Sequence, residues 1–298
     1  MNYKPWMSPL KHILILSVIL LSLPSWSQTN PPIKVFVSVL PLEYLVEKVG
    51  GEHVRVSVMI PPGQSPATFE PTPRKMAELQ GARLFFRVGV PAENGWMPRV
   101  ISNNPQLEVI DVREGIKPRK LAAHSHEHGD TAAHPGLDPH VWNSPDTSLR
   151  IAATMRDALI RIDPTHQQDY NRNYRHLADM LEQVDATIKS KLENLQQRKF
   201  MVFHPSWGYF ARHYDLEQIA IEQAGKAPGI RGLAQLMDQA KKLQIRSIIV
   251  QPQFSRRDAE AIAQETGAKV VAVDPLAHDI PATLLKMAEI IAGESSPQ

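Results

Sequence analysis

Five of the chain's twelve histidines fall within nineteen residues, HSHEHGDTAAHPGLDPHVW (124–142). They are not equivalent. His124, His126, His128 and His134 sit among small and polar residues with no periodic apolar pattern, which reads as a solvated loop. Clustered imidazoles there can take up metal weakly and unselectively, and they lose it on protonation below about pH 6.5. A polar loop with incidental histidines is the plainer alternative. His140 is different: it lies in LDPH, in a proline-bounded loop ahead of a helical pattern over 146–161. Two more residues occupy comparable places. His204 follows the apolar run 199–203, and Asp274 follows the run 268–273. Two imidazoles and a carboxylate make a donor set that suits Zn²⁺ and also serves Mn²⁺ or Fe²⁺. A lone histidine after a strand is more often structural. The shared placement is what singles these three out.

The elements that must position them follow from the apolar pattern. Short β-branched runs at 33–39, 54–60, 84–89 and 107–112 alternate with helical segments near 41–50, 73–81 and 91–102. The second half repeats the scheme, with strands at 199–203, 216–221, 246–251 and 268–273 and helices near 231–243, 255–266 and 279–291. Ser255 stands where it can cap the second of these helices, with Asp258 three residues on. This order predicts an α/β protein of two lobes, each with a mainly parallel four-stranded sheet flanked by helices. Between the halves, residues 165–197 contain neither proline nor glycine. Apolar side chains recur there from Tyr170 to Leu195 at spacings of three and four, so one face is apolar. The pattern predicts a long rigid helix of roughly 50 Å joining the lobes; a projecting coiled-coil arm is the alternative. The expected boundaries are 28–160 for the first lobe, with a His-rich loop over 113–136, then the helix 165–197 and the second lobe 198–298. Proline-containing loops follow several strands directly, at the carboxyl edge where open α/β sheets bind ligands.

The N-terminus reads as an export signal over residues 1–27. Lys4 and Lys11 precede the apolar run ILILSVILLSL (13–23), and Ser25 and Ser27 suit cleavage after Ser27. A membrane anchor is the alternative, but the run is short and Pro24 ends it. The chain has no cysteine, so neither a disulfide nor a lipid anchor on cysteine is expected. The expectation is a soluble protein of the periplasm. Without residues 1–27, which hold two lysines and no acid, the 33 basic residues fall to 31, equal to the 31 acidic ones. That balance gives no basis for nucleic-acid binding.

Longer motifs carry a resemblance. PPGQSPATFEPTP, GLDPHVW, VFHPSWGYFARHY, QPQFS and AKVVAVDPLA occur in order, with the long helix between them and the His-rich stretch before DPHVW. Together they resemble the periplasmic solute-binding proteins of zinc/manganese ABC importers, the zinc-binding branch in particular. The resemblance implies two α/β lobes holding one metal ion, most of all Zn²⁺, with ligands at His140, His204 and Asp274. Manganese-preferring relatives commonly carry Glu at the position of His204. It also implies delivery to the membrane permease of an ABC importer; the two-lobe architecture is satisfied in one chain, so a monomer is expected. The fit is incomplete. The family's first histidine ligand falls on Ala67, its neighbouring Asp on Ser65, and a frequent Glu on Gln251. Water, Gln64, Glu70 or a histidine of 124–134 are the replacements for the missing imidazole. No HExxH, GxSxG or dinucleotide glycine fingerprint is present, so binding rather than catalysis is expected. A diverged metal buffer or shuttle, or a binder of another metal species, is the alternative.

Overall fold

Eight short strands form where the β-branched runs lie, each one or two residues shorter than its run. In the computed structural model, which describes residues 1–3, 31–121, 136–222, 226–254 and 256–293, all the elements belong to one unit, Pro32–Gln298. Its first lobe is built from β1 (Ile33–Val37), α1 (Leu40–Gly50), β2 (Val54–Val58), α2 (Pro73–Glu78), β3 (Leu84–Arg87), α3 (Glu93–Asn103) and β4 (Glu108–Asp111). The strands pair in the order β2-β1-β3-β4, all parallel. Then come α4 (Pro145–Ile162) and α5 (Gln167–Leu192). The second lobe holds β5 (Lys199–Val202), α6 (Gly208–His213), β6 (Glu217–Ala220), α7 (Ile230–Lys242), β7 (Ser247–Val250), α8 (Arg257–Thr266), β8 (Lys269–Ala272) and α9 (Ile280–Ala292). Its order, β6-β5-β7-β8, repeats that of the first lobe, again all parallel.

The long helix is shorter than the pattern suggests. A 3-10 turn at Pro164–His166 precedes it, and it runs for 26 residues, about 39 Å. Tyr170, Leu177, Leu181, Val184, Ile188 and Leu192 are buried along one side. That face packs on α1, α4 and α9, so it is no projecting arm. The principal core runs from the first sheet through α5 to one face of the second sheet. In β5 the two-residue period shows directly: Phe200 and Val202 join this core, while Met201 packs into a separate cluster on the far face. Because Leu181 is wholly buried in the principal core, Leu181→Ala is expected to cost about 2–5 kcal/mol, read as a lower denaturant midpoint.

Helix ends follow local chemistry. Thr72 caps α2 by accepting from Lys75 N at 3.2 Å, and Asp279 caps α9 by accepting from Ala282 N at 2.9 Å. α8 ends on Gly267 with φ 75°, a left-handed conformation that glycine adopts without a Cβ clash. α8 begins at Arg257, and Ser255, expected as its cap, lies outside the described residues. So do His124, His126, His128 and His134, and all but the first three residues of the expected export segment. No helix among the described residues is long and apolar enough to cross a membrane.

Candidate metal centre

His140 is fixed from behind. Asp138, two residues earlier and wholly buried, accepts from the His140 backbone N at 3.0 Å and lies 2.7 Å from its Nδ1. Arg119 pairs with the other oxygen of Asp138. Tyr209 OH donates to the Asp138 carbonyl at 3.3 Å. Gly208 leaves the space that Arg119 uses, since a Cβ there would overlap the guanidinium. His204 is fixed in the same way. It leaves the end of β5, and its Nδ1 lies 3.0 Å from Oε2 of Glu222, which follows the neighbouring β6 and is 5% exposed. Phe254 stacks on the His204 ring at 5.2 Å and 17°. The two imidazole centres stand 5.2 Å apart, nearly edge to face at 77°.

When Nδ1–H donates to a carboxylate, the ring is held in the tautomer whose Nε2 lone pair is free. Both histidines are thereby left with a free Nε2 lone pair. Burial pushes the pKa of His140 below its ordinary value, outweighing the pull of Asp138 in the other direction. Burial works against ionisation of Asp138, yet the hydrogen bonds from His140, with the Arg119 charge beyond, hold its carboxyl below the usual range. The sign for stability follows from His140. Below about pH 6.5 the unfolded imidazole binds a proton that the folded one refuses, so this contribution is complete above that pH and is lost as the pH falls. The melting temperature of the metal-free protein is expected to drop between pH 7 and 5, with a shallower drop in His140→Gln. Equal slopes in the two would contradict a buried neutral His140.

Loops from both lobes are tied together around the pair. Trp142 Nε1 donates to the Pro275 carbonyl at 2.6 Å, and Asn143 Nδ2 to the Ser206 carbonyl at 3.0 Å. Gln251 Nε2 donates to Ser206 Oγ at 2.6 Å. In front of the rings is a cavity of about 270 Å³, lined by both histidines and by residues of both lobes. Ser65, Ala67 and Gln251, the three positions that depart from the family pattern, all line it.

The expected trio is not assembled. Asp274 follows β8, but its Oδ1 accepts from Gln253 Nε2 at 3.0 Å and Leu276 N at 2.9 Å. It lines a smaller adjoining pocket together with Gln64. Among the described residues no three His, Cys, Asp or Glu side chains converge on one point that could hold a metal ion. Glu70 is exposed, pairs with Arg99, and is absent from the lining of the main cavity. Sequence reasoning missed Glu222, which orients His204. Its position directly after β6, level with His204 after the paired β5, was the available signal. Nothing in the sequence pointed to the pairing of Arg119 with Asp138.

The wider likeness agrees with this geometry. A family model described as zinc-uptake complex component A, periplasmic, matches residues 35–290. A putative metal-binding protein of Treponema pallidum (strain Nichols) is 31% identical over 258 residues, 84% of this chain and 81% of that one. The chain spans about half the length of zinc-binding lipoprotein AdcA of Streptococcus pneumoniae, which it matches at 24% identity. The crystal structure of ZnuA superposes with a TM-score of 0.82 at 38% identity, covering 89% of this chain and 100% of that one. A ZnuA deletion mutant with zinc bound gives 0.81 at 37%, covering 90% and 99%. With the family match running from β1 into α9, this chain belongs to the periplasmic zinc-uptake component family, the divalent-metal-binding proteins of ABC-type import systems.

Proposed function

We propose that this protein captures Zn²⁺ on His140 and His204 as a soluble periplasmic protein and delivers it to the permease of an ABC importer. The observation that carries this reading is the matched pair of carboxylate-backed imidazoles. Each Nδ1 is engaged by a buried acid, and the ring centres are 5.2 Å apart. Two imidazoles sharing one tetrahedral zinc through Nε2, at about 2.0–2.1 Å each, place their ring centres about 5 Å apart. The pair is thus spaced for one ion before any ion arrives. The chemistry is reversible coordination. Nitrogen-rich ligation favours zinc over Mn²⁺, which prefers more oxygen. Asp274 is the candidate third ligand: Gln253 and Leu276 engage only its Oδ1, which leaves Oδ2 for the metal. Loops of both lobes line the cavity, so a docking partner that shifts one lobe against the other would spread the ligands and free the metal.

Ala67 favours a second reading, a diverged metal buffer or shuttle, because among the described residues it leaves His140 as the first lobe's one imidazole at the cavity. One experiment separates the two. Metal-stripped protein starting at residue 28 is titrated with zinc by calorimetry, beside a version lacking 124–134. The import reading expects a tight one-to-one event in both. Weak multi-site uptake that disappears with the deletion would overturn it in favour of the His-rich stretch as a buffer.

A further inference from the structure

One turn after β7 touches two of the three candidate ligands. Phe254 N donates to the Gln251 carbonyl at 3.2 Å and closes the turn. From this turn Phe254 stacks on the His204 ring, Gln251 donates to Ser206 just beyond His204, and Gln253 Nε2 donates to Asp274 Oδ1. Gln253 also stands where two spaces meet. It lines both the cavity of about 270 Å³ that holds the histidines and the adjoining pocket of about 50 Å³ that holds Asp274.

The Gln253 amide has one end still unused. Asp274 Oδ1 already accepts from Leu276 N at 2.9 Å, so the end of Gln253 that faces it is the N–H donor. The other end, Oε1, is buried and has no hydrogen-bond partner among the described residues. A buried acceptor left unmatched is destabilising, and such an atom in a folded protein calls for a donor that completes it.

The metal brings that donor with it. Tetrahedral zinc takes four ligands, and His140, His204 and Asp274 Oδ2 fill three of the positions. Ala67, on the wall of the same cavity, has no side-chain donor atom for the fourth. A water placed there gives a lone pair to the metal and keeps two O–H donors. Charge also favours a neutral occupant. Asp274 and Glu222, the acid behind His204, balance the two charges of zinc, and Asp138 is matched by Arg119. An anion in the fourth position would leave a surplus negative charge and face the lone pairs of Gln253 Oε1. No cationic side chain among the described residues lines the cavity to hold it.

Resting on the zinc reading above, we infer that Gln253 is the positioning residue that completes this metal site. Its Nε2 holds Oδ1 of Asp274 and leaves Oδ2 to the ion. Its Oε1 accepts from a water bound to the ion at the fourth position. The same carbonyl makes that position selective for water over anions.

The test loads the metal-stripped protein with one equivalent of Co²⁺, reads its visible absorption and titrates it with azide, in the parent and in Gln253→Met. Methionine keeps the length of the side chain and removes both hydrogen-bonding ends. The parent is expected to show a four-coordinate spectrum that azide shifts only at high concentration. In Gln253→Met azide is expected to act at a roughly tenfold lower concentration, the effect of one hydrogen bond. Zinc affinity of this variant, by calorimetry, is expected to fall about 10–100-fold. Gln253→Asn, whose shorter amide cannot serve both partners, replaces the methionine variant if that one does not fold. Lower zinc affinity with an unchanged azide response would mark a structural role only and overturn the inference. A parent spectrum that azide never changes would overturn it as well. Tight zinc binding by the parent in either case leaves the zinc reading intact, whereas a parent that binds no zinc would overturn both.

Discussion

His204→Ala is expected to weaken zinc binding by at least a hundredfold, measured by calorimetry on the metal-stripped protein. Loss of a residue that merely backs a ligand typically costs about 10–100-fold in metal affinity, and His204 is proposed as a ligand itself. With it gone, one imidazole stays at the cavity, and the approach of the two rings to 5.2 Å has no counterpart elsewhere in the lining. The alanine variant also strands Glu222 in a buried position without its partner, so the fold itself loses stability. His204→Gln separates the two effects. Its amide can still donate toward Glu222, but it offers zinc no imidazole nitrogen. Recovered melting temperature with unrecovered zinc affinity is the expected pattern. Glu222→Gln should fall between, within the 10–100-fold range, because it leaves the ligand and removes only the charge that orients it. Wild-type zinc affinity in His204→Gln would place the metal elsewhere.

The two sheets were readable because parallel strands buried on both faces appear as unbroken β-branched runs. All eight runs became strands, and the repeated order of the lobes followed. The strand-end rule also put His204 and Glu222 on adjacent, hydrogen-bonded strands. It could not say which way a side chain leaves the strand end. Asp274 stands after β8 much as His204 stands after β5, yet its oxygen turns to Gln253 and the Leu276 amide. A carboxylate will take two nearby N–H donors over an empty coordination position, and those donors come from local loop geometry that residue spacing does not encode. α5 shows a similar limit. Apolar positions continue to Leu195, but the regular helix stops at Leu192, because the period marks a face and not a terminus. Arg119 was invisible for a different reason: its partner Asp138 is nineteen residues away across a loop, and no periodic signal links them.

Ala67→His is expected to tighten zinc binding on the order of tenfold to a hundredfold, the inverse of losing a contributor to the site. Position 67 lines the same cavity as both imidazoles but comes from a different loop, so a nitrogen there would add a donor to the ligand set. The backbone is ready for the change. Ser65 accepts from Thr68 N at 3.2 Å and Phe69 N at 3.0 Å through its carbonyl, and from Ala67 N through Oγ. These bonds hold the turn whatever side chain position 67 carries, and Ala67 is exposed toward the cleft, so no core repacking opposes the larger residue. If the variant binds zinc no more tightly than the parent, the loop at 67 lies too far from the histidine pair to share an ion, and the cavity mouth stays open when metal binds.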